Sequence, residues 1–181
     1  MPISNLPFRL DVSAAAAAIA PHVRHTPVLR VQELENPGVN TVFLKLENLQ
    51  ITGSFKVRGA ANRILSLGEP ERGRGVVACS SGNHGRAVAH MAGKLGISAL
   101  ICVPDWVDAV KLDGMKRSGA QVVLSGDSYD EAEARAMELA EKEGRVFVQP
   151  FDDPWIAAGQ GTLGLELLEQ VPGLKTVLIP L

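Results

Sequence analysis

From residue 41 onward, short apolar runs alternate with stretches whose apolar positions recur at helical spacing. Residues 42–46, 75–79, 98–103, 121–124, 146–149 and 177–179 are compact apolar runs bounded by glycine, proline or polar turns, which predicts strands. Residues 55–67, 85–95, 110–118, 129–143 and 155–169 predict the intervening helices. The clearest of these is 129–143. Ser128 and Glu131 form a capping-box pattern, Ala132, Ala136, Leu139 and Ala140 give a small apolar face, and Gly144 ends it. Near the start, Asp11 or Ser13 as N-cap, the alanine run 14–18 and Pro21 as a stop predict a short helix rather than the core of a signal peptide.

Because the strands are apolar throughout rather than alternating, they are expected to be buried on both faces. Strand–helix–strand repeats of this length imply right-handed crossovers, hence an α/β fold with parallel sheets and flanking helices. Ligands of such sheets bind outside the carboxyl ends of the strands, which singles out the turns after Leu46, Cys79, Val103 and Gln149. The last apolar run stops without the turn that would carry a buried strand out of its sheet, so the chain reads as a fragment.

Composition narrows the function classes. The 181 residues are 46% hydrophobic and 21% charged with a net charge of −2, and no long run carries one sign. Nothing in that balance points to nucleic acid or an anionic membrane as partner. No apolar stretch reaches the roughly 18 residues needed to span a bilayer, so a cytoplasmic protein is expected. Cys79 and Cys102 sit in apolar runs and read as buried free thiols. No Cys/His spacing suits a metal, and none is expected.

Two segments carry chemistry. Thr52, Gly53, Ser54, Phe55, Lys56, Val57 and Arg58 follow a predicted strand and open a helix. Lys56 then lies in the first turn, where the macrodipole disfavours a cation, and Phe55 beside it would strip water from the amine. An amine so depressed suits attack on an aldehyde. The second segment, Ser80, Ser81, Gly82, Asn83, His84 and Gly85, joins a buried strand to a helix, with serine and asparagine as candidate caps and the backbone N–H groups as an anion cradle. Residues 159–164 satisfy G-x-G-x-x-G, but they do not directly follow a strand. Close helix packing explains those glycines better than a dinucleotide site.

Together these segments resemble the serine/threonine dehydratases of the fold type II pyridoxal-phosphate enzymes, whose architecture is that of the tryptophan synthase β subunit. The likeness runs from His25, Thr26 and Pro27 through residues 45–50, the Lys56 segment, the asparagine loop at 80–85 and residues 158–162 to the strand ending in Ile179 and Pro180. Asn83-His84 and Phe55-Lys56-Val57-Arg58 look like dehydratases and serine racemases rather than cysteine or threonine synthases. Residues 83–88 and 151–154 are similar to dehydratases of hydroxyectoine utilisation.

The resemblance implies that Lys56 forms a Schiff base with pyridoxal 5′-phosphate and later removes the substrate Cα proton. It implies that Phe55 packs beside the pyridine ring and that Asn83 binds the ring's 3-oxygen. Ser80, Ser81, Gly82, Asn83 and His84 would hold the substrate carboxylate, and Ser81 is placed like the second acid/base of the racemases. The implied reaction is deamination of a β-hydroxy amino acid (threonine, serine or a hydroxyectoine-derived relative) to a 2-keto acid and ammonia. An amino-acid racemase, or an inactive truncated interaction module, stays open. Residues 1–70 and 150–181 would form parts of a large domain, incomplete here before its phosphate-binding glycine loop, and 71–149 a small domain. A homodimer is expected at full length, and this piece alone is expected to be inactive.

Overall fold

The computed structural model describes residues 10–36 and 38–179. Its centre is a four-stranded sheet of β3 (Val76–Cys79), β4 (Ala99–Val103), β5 (Gln121–Leu124) and β6 (Val146–Phe147). All neighbours are parallel and the spatial order is β5-β4-β3-β6. The crossovers are α4 (Asn83–Lys94), α5 (Ala109–Arg117) and α6 (Tyr129–Glu143).

The pleat explains the unbroken apolar runs. Val77, Cys79, Leu100 and Cys102 face Ala132, Ala136 and Leu139 of α6, while Val76, Ala78, Ile101 and Val103 face the larger core that includes α4. Cys79 and Cys102 are free and buried as expected, and burial pushes their thiols up to about 12 and about 11. Ser128 caps α6 by accepting from the Glu131 backbone, and Gly144 closes it with a left-handed backbone.

Outside the sheet, α1 (Val12–Ile19), α2 (Lys56–Leu65) and α7 (Pro154–Gln170) pack together, and α2 also lies against α4. Asp11 caps α1 through the Ala14 N–H at 2.8 Å. The α2–α7 approach is close because both helices present glycine: a Cβ on Gly159 would stand 2.6 Å from the Arg58 carbonyl oxygen and 2.7 Å from the Gly59 Cα. Gly159 is the first glycine of the G-x-G-x-x-G run, which lies inside a helix and serves packing.

Three expectations are corrected. The strand predicted at 42–46 is β2 (Phe43–Lys45), and it is neither parallel nor buried. It pairs antiparallel with an unpredicted β1 (Val28–Arg30), and the described residues between the two strands hold a 3-10 turn rather than a crossover helix. The helix predicted at 55–67 ends at Leu65, and a separate α3 (Glu69–Arg74) follows with Pro70 in its first turn, where proline is tolerated. Residues 177–179 lie in no sheet and are exposed, Leu178 at 91%, because no strand among the described residues lies beside them to share a ladder. Pro180, the last residue of that predicted strand segment, is outside the described residues.

A buried ion-pair network holds α2 in place. The Arg58 guanidinium, 1% exposed, donates to Glu47 at 2.8 and 2.9 Å and to Glu166 of α7 at 2.6 and 3.0 Å. Lys45 donates to Glu166 at 2.5 Å, to Gln170 at 2.7 Å and to the Thr26 carbonyl at 2.7 Å, and Thr26 Oγ1 donates to Glu47 at 2.5 Å. Burial alone would raise the Glu166 carboxyl, but the bonds from Arg58 and Lys45 overcome it and hold it below its ordinary value. Two cations and two carboxylates thus neutralise one another in a site that excludes water. Arg58→Met leaves both carboxylates short of their partner, and its expected destabilisation in urea unfolding is about 3–5 kcal/mol. Arg135→Met, at the exposed Arg135–Glu138 pair, is expected to stay within about 1 kcal/mol of the parent.

Candidate active site

The strand order reverses between β3 and β6: from β3 the chain steps outward to β4 and β5, then returns to the other side of β3. The crevice at the carboxyl ends of that pair is where open α/β sheets bind ligands. Residues 80–84 leave β3 there, and residues 148–150 leave β6. Of the four turns singled out from the sequence, the fold puts those two on either side of the reversal.

Lys56 is the first residue of α2, as expected, and is partly buried. Gly53, at φ +78°, makes the turn that delivers it. Its Nζ donates to the Pro150 carbonyl at 3.0 Å and lies 5.4 Å from the centre of the Phe55 ring. Burial lowers the amine from its ordinary value. The Phe55 face attracts a cation and so acts in the opposite sense, yet desolvation wins.

The asparagine loop departs from expectation in how it starts its helix. Ser80 Oγ accepts from the Gly82 N–H at 3.2 Å, Gly82 occupies the N-cap position, and no side chain caps α4. The first-turn N–H groups of an α-helix have no partner within the helix, so this turn offers them to an anion. Asn83 is exposed, and Ser80, Ser81 and Gly82 are half-buried at the same edge. Gly85 is required by packing: a Cβ there would strike the Ser80 carbonyl and crowd Met115 and Ile101.

His84 is buried, 3% exposed, with Nε2 3.0 Å from the Val148 carbonyl. Burial pushes it down to about 4, with the Lys56 charge acting in the same direction. Its ring is therefore neutral near pH 7. That bears on the expectation that the residue holds a carboxylate: its backbone N–H in the first turn remains suited to that, whereas its imidazole faces Val148.

Other groups at this edge were given no role of their own from the sequence. The hydroxyls of Thr52 and Ser54, just before Lys56, are buried without a hydrogen-bond partner, as is His84 Nδ1. Such groups are normally satisfied, and a bound polar ligand is one way to satisfy them. The two hydroxyls can donate to the oxygens and ring nitrogen of an aldehyde cofactor bearing a phosphate, whereas His84 Nδ1 is an acceptor. The carbonyls of Val148 and Pro150 were missed because backbone acceptors leave no mark in residue type. Thr52 and Ser54 could have been found as hydroxyls flanking the lysine. A separate cavity of about 350 Å³ lies between α1 and α7 over the Arg58 network.

His84 has a stability signature. Its folded value of about 4 lies below its ordinary 6.5, so between those values the unfolded chain binds the additional proton. The resulting stabilisation is complete above about pH 6.5 and is lost as the pH falls towards about 4. It amounts to about 3 kcal/mol. Urea unfolding across this range is expected to show that slope, reduced in His84→Gln. An equal slope in the variant would assign the acid sensitivity to other groups.

Comparison with known proteins agrees with this geometry. Residues 19–181 match the family model described as pyridoxal-phosphate dependent enzyme. The L-threonine ammonia-lyase of Thermotoga maritima is 44% identical over 170 residues, which are 94% of this chain and 42% of that one. Maize serine racemase superposes with a TM-score of 0.85 at 38% identity, covering 90% of this chain and 49% of that chain. The processed threonine deaminase isoform 2 of Solanum lycopersicum gives a TM-score of 0.84 at 34% identity, covering 89% and 45%. The chain thus spans about half the length of the relatives it matches. With its family matched over nearly all its length and a desolvated lysine at the sheet's reversal point, this chain belongs to the pyridoxal-phosphate dependent enzymes.

Proposed function

We propose that this chain is the lysine-bearing part of a lyase that converts a β-hydroxy amino acid, threonine or serine, to a 2-keto acid and ammonia. The observation that carries the reading is the Lys56 amine, lowered by burial and held at the mouth of the β3–β6 crevice by the Pro150 carbonyl. A lysine in that state is more readily deprotonated than a surface lysine.

Pyridoxal phosphate, when bound, supplies the electron sink for charge developing at the substrate Cα. The protein's part is positioning and proton transfer. Lys56 Nζ would hold the cofactor's aldehyde carbon, and the same amine would take the substrate Cα proton. Phe55 would pack beside the ring, and the Asn83 side chain would donate to its 3-oxygen. The turn at residues 80–84 receives the substrate carboxylate, supported by the uncapped start of α4, where the Asn83 and His84 N–H groups have no partner within the helix. The neutral His84 ring takes no proton in this scheme.

The racemase reading rests on Ser81, which sits in the same turn, and on the similarity to maize serine racemase. The higher identity to a threonine ammonia-lyase favours elimination. A hydroxyectoine-derived hydroxy amino acid is a narrower substrate within the same reading. The joint presence of Lys56, Ser81 and Asn83 speaks against an inactive interaction module. We further propose a large domain formed by residues 1–70 and 150–181 and a small one by 71–149, supported by the confinement of the four-stranded sheet to residues 76–147 and by the packing of α2 on α7. A homodimer in the cytoplasm completes the proposal.

The test is borohydride reduction in the presence of pyridoxal phosphate, followed by peptide mapping, on this chain and on one extended to the relatives' length. A label on Lys56 is expected, together with ammonia and 2-keto acid release from L-threonine by the extended chain. Lys56→Ala is expected to lower that turnover by about 10³-fold or more. An extended, folded chain labelled elsewhere, or not at all, ends the lyase reading.

A further inference from the structure

We propose that His84 is a positioning residue: its imidazole ties the turn at residues 80–83 to the segment at 148–150, and through that segment sets the surroundings of the Lys56 amine. This role rests on Lys56 being the reacting amine, and it concerns a side chain to which the lyase scheme gives no task.

A backbone carbonyl only accepts, so the 3.0 Å contact to Val148 requires the hydrogen on Nε2. Nδ1 is then an acceptor, buried and without a partner among the described residues. An imidazolium would put a second, unsatisfied donor in that position, so the ring works as a fixed neutral donor rather than as an acid or base.

What it holds is the extension of β6. The Val148 N–H donates to the Val77 carbonyl at 2.8 Å, anchoring the segment to β3 on one side. The Val148 carbonyl takes His84, and two residues later the Pro150 carbonyl takes Lys56 Nζ at 3.0 Å. Proline lacks an N–H, so Pro150 makes no ladder bond of its own and its carbonyl depends on its neighbours for direction. His84 stands next to Asn83 at the start of α4, and Lys56 starts α2. One three-residue segment therefore receives both halves of the site on two carbonyls. Movement of either half is transmitted to the other through it.

The predicted consequence is that the Lys56 amine responds to a change at residue 84. His84→Leu fills the volume but offers no donor. His84→Gln keeps an N–H of similar reach. Competitive acetylation with peptide mapping, on the full 181-residue chain without cofactor, gives the pH midpoint of Lys56 reactivity, which does not depend on how accessible the amine is. In His84→Leu the midpoint is expected to rise by about half a pH unit, roughly threefold in the acid dissociation constant, and in His84→Gln to stay near the parent value. A folded His84→Leu chain with the parent midpoint overturns the proposal, and so does an equal rise in both variants. Nitrogen-15 spectra of the parent keep the test decisive if His84→Leu does not fold: Nε2 protonated and Nδ1 bare at about pH 7 is expected, and the opposite tautomer overturns it. Failure of borohydride labelling in the extended, folded chain alongside a shifted midpoint would sink the lyase reading, and with it the purpose of the tie, while the coupling of residue 84 to the Lys56 amine would stand.

Discussion

Everything at the site hangs from the buried guanidinium of Arg58. Two residues before it on the same helix is Lys56, so fixing Arg58 between Glu47 and Glu166 fixes where the amine emerges. The three partners come from the 3-10 turn after β2, from α2 and from α7, and each carboxylate is bound bidentately or shared with Lys45. Planar, forked hydrogen bonding gives Arg58 a direction as well as a charge, which a lysine there would not. The glycine-to-backbone contact between α2 and α7 adds a second restraint at the same level of the helices. The amine thus stands on a helix held by several independent restraints, while the groups it faces come from turns.

Local chemistry was legible in the sequence wherever one residue decided the outcome. The helix at 129–143 was set by Ser128, Gly144 and a stripe of small residues, and it appears with the predicted bounds. The central strands were legible because burial on both faces leaves an uninterrupted apolar run. The β1–β2 hairpin was not, since three-residue exposed strands carry neither alternation nor an apolar run. The run at 177–179 shows the converse: apolar character alone makes no strand without a neighbour to bond.

For the site, residue types that are rare in turns were the readable part. Lys56, Asn83, His84 and the glycines around them stood out and lie at the edges where ligand chemistry is expected. What escaped notice acts over long chain separations or through the backbone. Arg58 meets Glu166 across 108 residues, and no local pattern announces such a pair. The carbonyls of Val148 and Pro150 belong to residues whose side chains say nothing of their use. Even the capping at Gly82 was misjudged, because Ser80 spends its hydroxyl within the turn and leaves the helix start open.

The bond from Lys56 to Pro150 spans 94 residues, which orders events as the chain folds. When α2 first forms, its leading lysine has no carbonyl to meet and keeps the protonated, water-facing state of any surface lysine. Only after β6 has docked against β3 is the Pro150 carbonyl in place and the amine partly withdrawn from water. Contacts of such separation carry a loop-closure penalty and arrive late. The lowering at residue 56 is in that sense a timed property, which the nascent chain lacks and completion of the fold supplies. A chain caught half-assembled would meet free aldehydes with a lysine no different from those on its surface.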